Sequence, residues 1–143
     1  MKAFTFRLQT VLEQRRLVEE QRREDLARLS TEANGVKEEI RTLDEEMRRT
    51  RRERQQQVVN GDLKRARLAE DYLHALTHRR REREQRLASL VDQVTDARHA
   101  LLAARRDHKA VESLHDRDRA IYQTELRRQE QKDLDEIASR RHG

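Results

Sequence analysis

Residues 26–47 read LARLSTEANGVKEEIRTLDEEM. Apolar side chains stand at Leu26, Leu29, Ala33, Val36, Ile40, Leu43 and Met47, and the steps between them are 3-4-3-4-3-4 without a miss. That spacing lines every apolar residue along one stripe of an α-helix, the a/d seam of a heptad coiled coil. The reading matters because composition alone leaves two classes open. Leu, Ile, Val and Phe total 30 of 143 residues, close to the fraction of about 20% below which a charged chain stays disordered. A disordered chain has no reason to hold a phase, so the seam decides for a coiled coil.

Upstream the same stripe is looser. Phe4, Leu8, Val11, Leu12 and Val18 are apolar, but Arg15 and Arg22 fill two of its slots. The steps 15-18-22-26 form an insert that relaxes a left-handed supercoil locally. Downstream a second seam runs Ala66, Ala69, Leu73, Leu76, Arg80, Arg83, Leu87, Leu90, Val94, Ala97, Leu101, Ala104, His108, Val111. Arg80, Arg83 and His108 are its polar members, and arginine stems can lie along an apolar seam while the head reaches water.

Between the seams lies Val58-Val59-Asn60-Gly61-Asp62. Gly61 suits the left-handed position just past a helix end. Asp62 suits the N-cap of the next helix. Two helices joined by so short a break form an antiparallel hairpin. Asn34-Gly35 is a second candidate break, and a helix ending there would give a three-helix alternative. The seam keeps phase across it, which makes Gly35 an outward residue costing about 1 kcal/mol against Ala. The expectation is an all-α fold, an antiparallel two-helix coiled coil forming one domain over 1–143. Helix 1 covers about 4–59, the turn about 60–62 and helix 2 about 63–140, the latter about 115–120 Å long. Residue i then faces residue 121 − i, so that Phe4 meets the region of Arg117 and Leu26 that of Thr95. An overhang of helix 2 from about 118 to 140 has no helix 1 beside it. It still carries Tyr122, Leu126, Leu134 and Ile137 within about 120° of one another, which suggests an intermolecular partner.

Working out to the whole chain, Ala, Glu, Lys, Leu and Arg supply 81 of 143 residues, the composition class of long helices. Apolar residues are 34% and charged ones 43%, too thin a stock for a two-layer core. Proline is absent, which argues against a β-sandwich with its frequent turns. No run of 18 apolar residues occurs to span a membrane. The opening MKAFTFRLQTVLEQRR lacks the apolar core of a secretory signal, and a cytoplasmic protein is expected. With no cysteine, disulfides and thiolate chemistry are excluded. Charge is uneven. Residues 1–47 hold 9 basic and 11 acidic groups, residues 87–143 hold 11 of each, and residues 48–86 hold 13 against 6. The basic excess thus gathers at the turn, in Arg48-Arg49-Thr50-Arg51-Arg52, Lys64-Arg65-Ala66-Arg67 and Arg79-Arg80-Arg81. Elsewhere pairs such as Asp44–Arg48, Glu45–Arg49 and Glu82–Arg86 support a solvated helix face.

No catalytic pattern emerges. His74 and His78 stand at i, i+4, but no HExxH arrangement accompanies them. Three glycines form no phosphate loop. A two-helix fold also lacks the concave, water-excluding pocket that catalysis uses. The expectation is a protein that is not an enzyme and needs no metal, cofactor or small-molecule substrate. A nucleic-acid binder would show a helix-turn-helix, a terminal basic region running into a zipper, or interleaved aromatics. None is present, and no nucleic acid is expected as partner.

Three stretches carry a family resemblance. The opening Phe4-Thr5-Phe6-Arg7-Leu8-Gln9-Thr10-Val11-Leu12 is similar to the F-x-F-[RK]-L-x-x-[VL]-L start of the FliJ-type flagellar export chaperones. Asp71-Tyr72-Leu73-His74-Ala75-Leu76 resembles the aromatic-apolar stretch near the start of that family's second helix. Glu125 to Ala138, ending in Glu130-Gln131-Lys132-Asp133-Leu134-Asp135-Glu136-Ile137-Ala138, resembles its E-Q-K-x-[LM]-D-E-[IF]-A close, the most specific of the three. The resemblance implies a coiled-coil stalk like that of rotary ATPases. Such a stalk binds the hexameric flagellar export ATPase at its ring pore and promotes its assembly. It links the ATPase to the transmembrane export-gate protein, whose cytoplasmic part forms a ring, and assists the export chaperones. By position, Phe4, Phe6, Leu8, Tyr122, Leu126, Gln131, Lys132, Leu134, Asp135, Glu136 and Ile137 fall on the ATPase side. Leu43, Arg48, Arg49, Arg51, Arg52, Tyr72 and Leu76 fall on the gate side. There Glu46 and Thr50 stand where the family sometimes has an aromatic. The implied place is the cytoplasmic face of the inner membrane, at the flagellar basal body. Two other readings rest on the residues alone, a generic coiled-coil spacer and a basic nucleic-acid-binding coiled coil.

Overall fold

A computed structural model describes residues 2–142. It consists of α1 (Gln9–Val59) and α2 (Leu63–His142), which pack against each other as an antiparallel hairpin. No strand occurs among the described residues. Every seam residue from Leu26 to Met47 and from Ala66 to Val111 is buried or half-buried. The 3-4 phase is therefore the packing phase of the molecule.

The turn closes with both sets of helix-end groups satisfied. Gly61 has φ +79°. Asp62 N–H donates to the Gln57 carbonyl at 2.9 Å and Gly61 N–H to that of Val58 at 3.1 Å. This bond pair is the Schellman closure, which needs a residue free to adopt positive φ just after the helix. Asp62 then caps α2, its Oδ1 accepting from Arg65 N–H at 3.2 Å. Gly35, in contrast, lies within α1 with open space where a Cβ would stand. The helix passes through Asn34-Gly35 unbroken, so the three-helix alternative does not hold.

The hairpin divides into two compact units, Glu24–His99 and Met1–Arg23 with Ala100–Gly143. In Glu24–His99 two apolar clusters form the seam. Leu43 and Met47 pack with Leu73 and Leu76. Ala33 and Val36 pack with Leu90, flanked by Leu29, Ile40 and Leu87. Leu90 is 0% exposed and Leu76 2%, and a side chain of this size contributes about 2–3 kcal/mol when fully buried. Thr50 continues the stripe, with its hydroxyl donating to the Glu46 carbonyl at 2.8 Å. The seam arginine Arg80 turns its Nε to Asp44 Oδ1 at 2.6 Å and also pairs with Glu84. The Asp44 hydrogen bond pushes its guanidinium further up from an already high value, with the Asp44 and Glu84 charges adding and desolvation opposing. Arg83–Glu39 (3.2 Å), Arg86–Glu32 (2.5 Å) and Arg54–Glu70 also bridge the two helices. These partners agree with the 121 − i rule to within a turn.

In the other unit Leu12, Leu101 and Ala104 are buried, together with Phe6. Arg15 stays exposed on the seam edge and meets Asp107 at 3.5 Å. Where the insert relaxes the heptad phase, Val18 and Glu19 are both half-buried. Here α1 departs from expectation, because it starts at Gln9 and not near residue 4. The cause is the alternation Phe4-x-Phe6, after which Arg7-Leu8 form the turn into α1. On a helix, residues two apart diverge by about 200° and both aromatics could not reach α2, whereas an extended chain puts them on one side. Phe6 is buried while Phe4 and Leu8 are half-buried.

Candidate functional site

The N-terminal segment is held by ring contacts. Phe4 and Phe6 both meet the His115 imidazole edge-on, with centroids 5.6 and 5.1 Å apart. Phe4 also tilts against Tyr122 at 5.5 Å. The Tyr122 hydroxyl donates to the Lys2 carbonyl at 2.6 Å. Edge-to-face and tilted arrangements of this kind suit the ring quadrupoles. One heptad earlier, His108 presents Nδ1 to Glu19 Oε2 at 2.5 Å. Glu112 lies 3.3 Å from His108 Nε2, and Arg105 3.6 Å from Glu19. A histidine in a seam slot is thus tied by a carboxylate of the other helix.

These contacts correct the expected overhang. Tyr122 is a partnered residue, held by the segment ahead of α1 and not by α1 itself, which starts at Gln9. An extended chain advances about 3.3 Å per residue against 1.5 Å for a helix. Residues 2–6 are non-helical and Arg7-Leu8 form a turn, with Gln9 N–H donating to the Phe6 carbonyl at 3.1 Å, so the reach of the segment ahead of α1 comes from residues 2–6. From Arg127 to His142 every residue is exposed. Leu134 and Ile137 are 60% and 51% exposed, and with half-buried Leu126 they fall within about 80° around α2. Gln131, Lys132, Asp135 and Glu136 share this exposed stretch, and Gln131 Nε2 donates to Asp135 Oδ1 at 3.0 Å. The sequence-derived set thus splits into two groups. Phe4, Phe6 and Tyr122 join in an intramolecular clamp with His115, Leu8 is half-buried, and Gln131 to Ile137 are exposed.

The turn-side set, all within Glu24–His99, splits as well. Leu43 and Leu76 are core residues, Leu76 2% exposed and Leu43 showing only an edge at a surface groove, so neither is a free surface side chain. Tyr72 is 45% exposed and its hydroxyl lies 3.4 Å from Glu46 Oε1. Arg48, Arg51 and Arg52 are exposed, while Arg49 pairs with Glu46. Among the described residues Arg48, Arg51, Arg52, Lys64, Arg67, Arg79 and Arg81 have no ion-pair partner.

His74 and His78 each face their own carboxylate, Glu70 at 3.6 Å and Glu82 at 3.2 Å. No group of three potential ligands among the described residues could hold a metal ion. No helix is long and apolar enough to cross a membrane. The surface hollows are open grooves, such as one beside Gly35 lined by Glu39, Leu43, Arg79 and Arg83. Sequence reasoning missed His115 as the anchor of the N-terminal segment. The period of two in Phe4-x-Phe6 is the signal that could have found it.

A comparison with protein families matches residues 4–143 to the one described as Flagellar FliJ protein. No curated protein and no solved structure matches the chain.

Proposed function

Given that this chain belongs to the FliJ family of flagellar export components, which are non-catalytic, we propose that it is the stalk of the export ATPase. The exposed end of α2 engages the hexameric ATPase at its ring pore and favours ring assembly. The turn side reaches the cytoplasmic ring of the export gate, and the protein aids the passage of export chaperones and their cargo. It works at the cytoplasmic face of the inner membrane.

The observation that carries the ATPase side is the stretch from Arg127 to His142. It is regular helix with exposed Leu134 and Ile137 and no intramolecular cover. Exposed apolar residues on an unpartnered helical stripe are what a helix-in-ring contact buries. The N-terminal clamp supports the same reading. It ends the covered part of α2 at Tyr122 and leaves Gln131, Lys132, Asp135 and Glu136 beside the two aliphatic side chains. On the gate side, Tyr72 stands above the Leu43–Leu76 core, with Arg48, Arg51 and Arg52 unpaired on α1.

The test is a pull-down of the export ATPase with the Leu126→Asp/Ile137→Asp variant. Binding is expected to be lost while helicity stays at the parent level; retained binding would sink the ATPase side. Replacing Arg48, Arg51 and Arg52 by Glu is expected to weaken binding to the gate's cytoplasmic domain and flatten its salt dependence. No change in either would remove the gate side.

A further inference from the structure

The turn carries a combination of which the proposed gate contact uses only Arg51 and Arg52. Val58, Val59 and Leu63 are 53%, 74% and 70% exposed. The two valines end α1 and the leucine opens α2, so three aliphatic side chains crowd around one tight turn. Seven residues, or two helical turns, behind Val58 and Val59 stand Arg51 and Arg52, on the same faces and about 10 Å back. On α2, Lys64 follows Leu63 and Arg67 comes one turn later. Side chains slant toward a helix's N-terminus, so Lys64 and Arg67 lean to the turn.

None of these four cations has a carboxylate partner. Two of the nearby acids are otherwise engaged. Asp62 caps α2 and pairs with Arg65 at 3.3 Å, and Glu70 pairs with Arg54. Glu53 and Asp71, the latter four residues from Arg67, are exposed and without an ion pair.

Along α1 the order is aliphatic end first and bare cations behind it, and on α2 Lys64 lies level with Leu63 and Arg67 a turn behind. The α1 order matches the depth order of a bilayer surface, where acyl chains lie beneath a layer of phosphates. Interfacial segments bury apolar groups about 5–10 Å into that boundary and hold their cations at the headgroups. We propose that this turn inserts Val58, Val59 and Leu63 into the interface of an anionic lipid bilayer, with Arg51, Arg52, Lys64 and Arg67 on the lipid phosphates. A folded acidic protein is the weaker occupant. It would need a concave apolar socket ringed by carboxylates to fit a protruding turn, whereas a bilayer needs no such match. The inference goes beyond the stalk function and needs neither ATPase nor gate.

The chain has no tryptophan, so Val59→Trp in the full-length protein is a clean depth reporter. Its emission is expected to shift to the blue with phosphatidylglycerol–phosphatidylcholine vesicles and not with phosphatidylcholine alone. Val91→Trp, exposed on α2 away from the turn, should not shift. In co-sedimentation, Val59→Asp/Leu63→Asp is expected to lower vesicle binding at least tenfold with unchanged helicity. Each of Arg51→Gln and Arg52→Gln should lower it about fivefold. Sedimentation with vesicles without a blue shift would mean charge adsorption only and would overturn insertion. So would undiminished binding of the double aspartate variant. Loss of gate binding by that variant in lipid-free solution, with no vesicle binding by the parent, would assign the turn to an acidic protein instead. If the inference holds, the variant binds ATPase and gate normally without lipid, which separates it from the stalk reading.

Discussion

Two glycines in this chain stand in opposite situations although each follows an asparagine. Gly61 holds φ +79°, a backbone that an L side chain resists. Gly35 sits inside α1 with nothing near its missing Cβ. Gly61→Ala is expected to cost about 1 kcal/mol by disturbing the Schellman closure. Gly35→Ala is expected to gain about 1 kcal/mol from helix propensity alone. Denaturation midpoints by circular dichroism would separate the two, and equal shifts of one sign would contradict the assignment. The buried seam supplies a larger effect. Leu90→Ala should cost about 3 kcal/mol, because its site in the Ala33–Val36 cluster is fully enclosed. At residue scale, then, identical dipeptides were told apart in the sequence by phase. A seam that ran through Asn34-Gly35 without slipping left no room for a break.

Among the elements, the N-terminal segment is the one whose form follows from a different period. Phe6→Ala should free residues 2–8 and cost about 3 kcal/mol locally. Amide exchange would report the loss of the Tyr122–Lys2 contact, while α1 and α2 keep their protection. Protection lost across α1 as well would mean that the segment anchors the helix itself. This element also marks where sequence reading stopped. The two seams, the turn, the N-cap and the pairing rule were legible because a 3-4 phase and a Gly-Asp break depend on local chemistry. The helical start near residue 4 does not hold: Phe4 and Leu8 fit a helical step, but Phe6 falls between them and is the residue that is buried. The period of two in Phe4-x-Phe6 has meaning only once His115 and Tyr122 are known to stand opposite. Family position puts Leu43 and Leu76 on the gate side, whereas their place on the seams puts both in the core. The exposed stretch beyond Arg127 was legible in kind, as apolar residues without a facing helix, and misplaced in extent. Its start depends on how far the non-helical segment ahead of α1 reaches.

For the molecule as a whole, stability varies along the chain because each layer of the hairpin packs only with its neighbours. Amide exchange is expected to be slowest in the Leu43–Met47–Leu73–Leu76 and Ala33–Val36–Leu90 layers and fastest after Arg127. Uniform protection over α2 would show that the exposed end is covered, for instance by a second copy. A final consequence lies in the turn. Asp62 is at once the last acceptor-closing residue of α1 and the first cap of α2, so no residue there is spare. One extra residue between Asp62 and Ala66 would rotate the rest of α2 by about 100° and carry its whole seam off the partner helix. Seven residues added to each arm would leave the angular phase intact. The hairpin should therefore tolerate paired additions that keep the phase, such as seven residues in each arm, and not a lone residue in one.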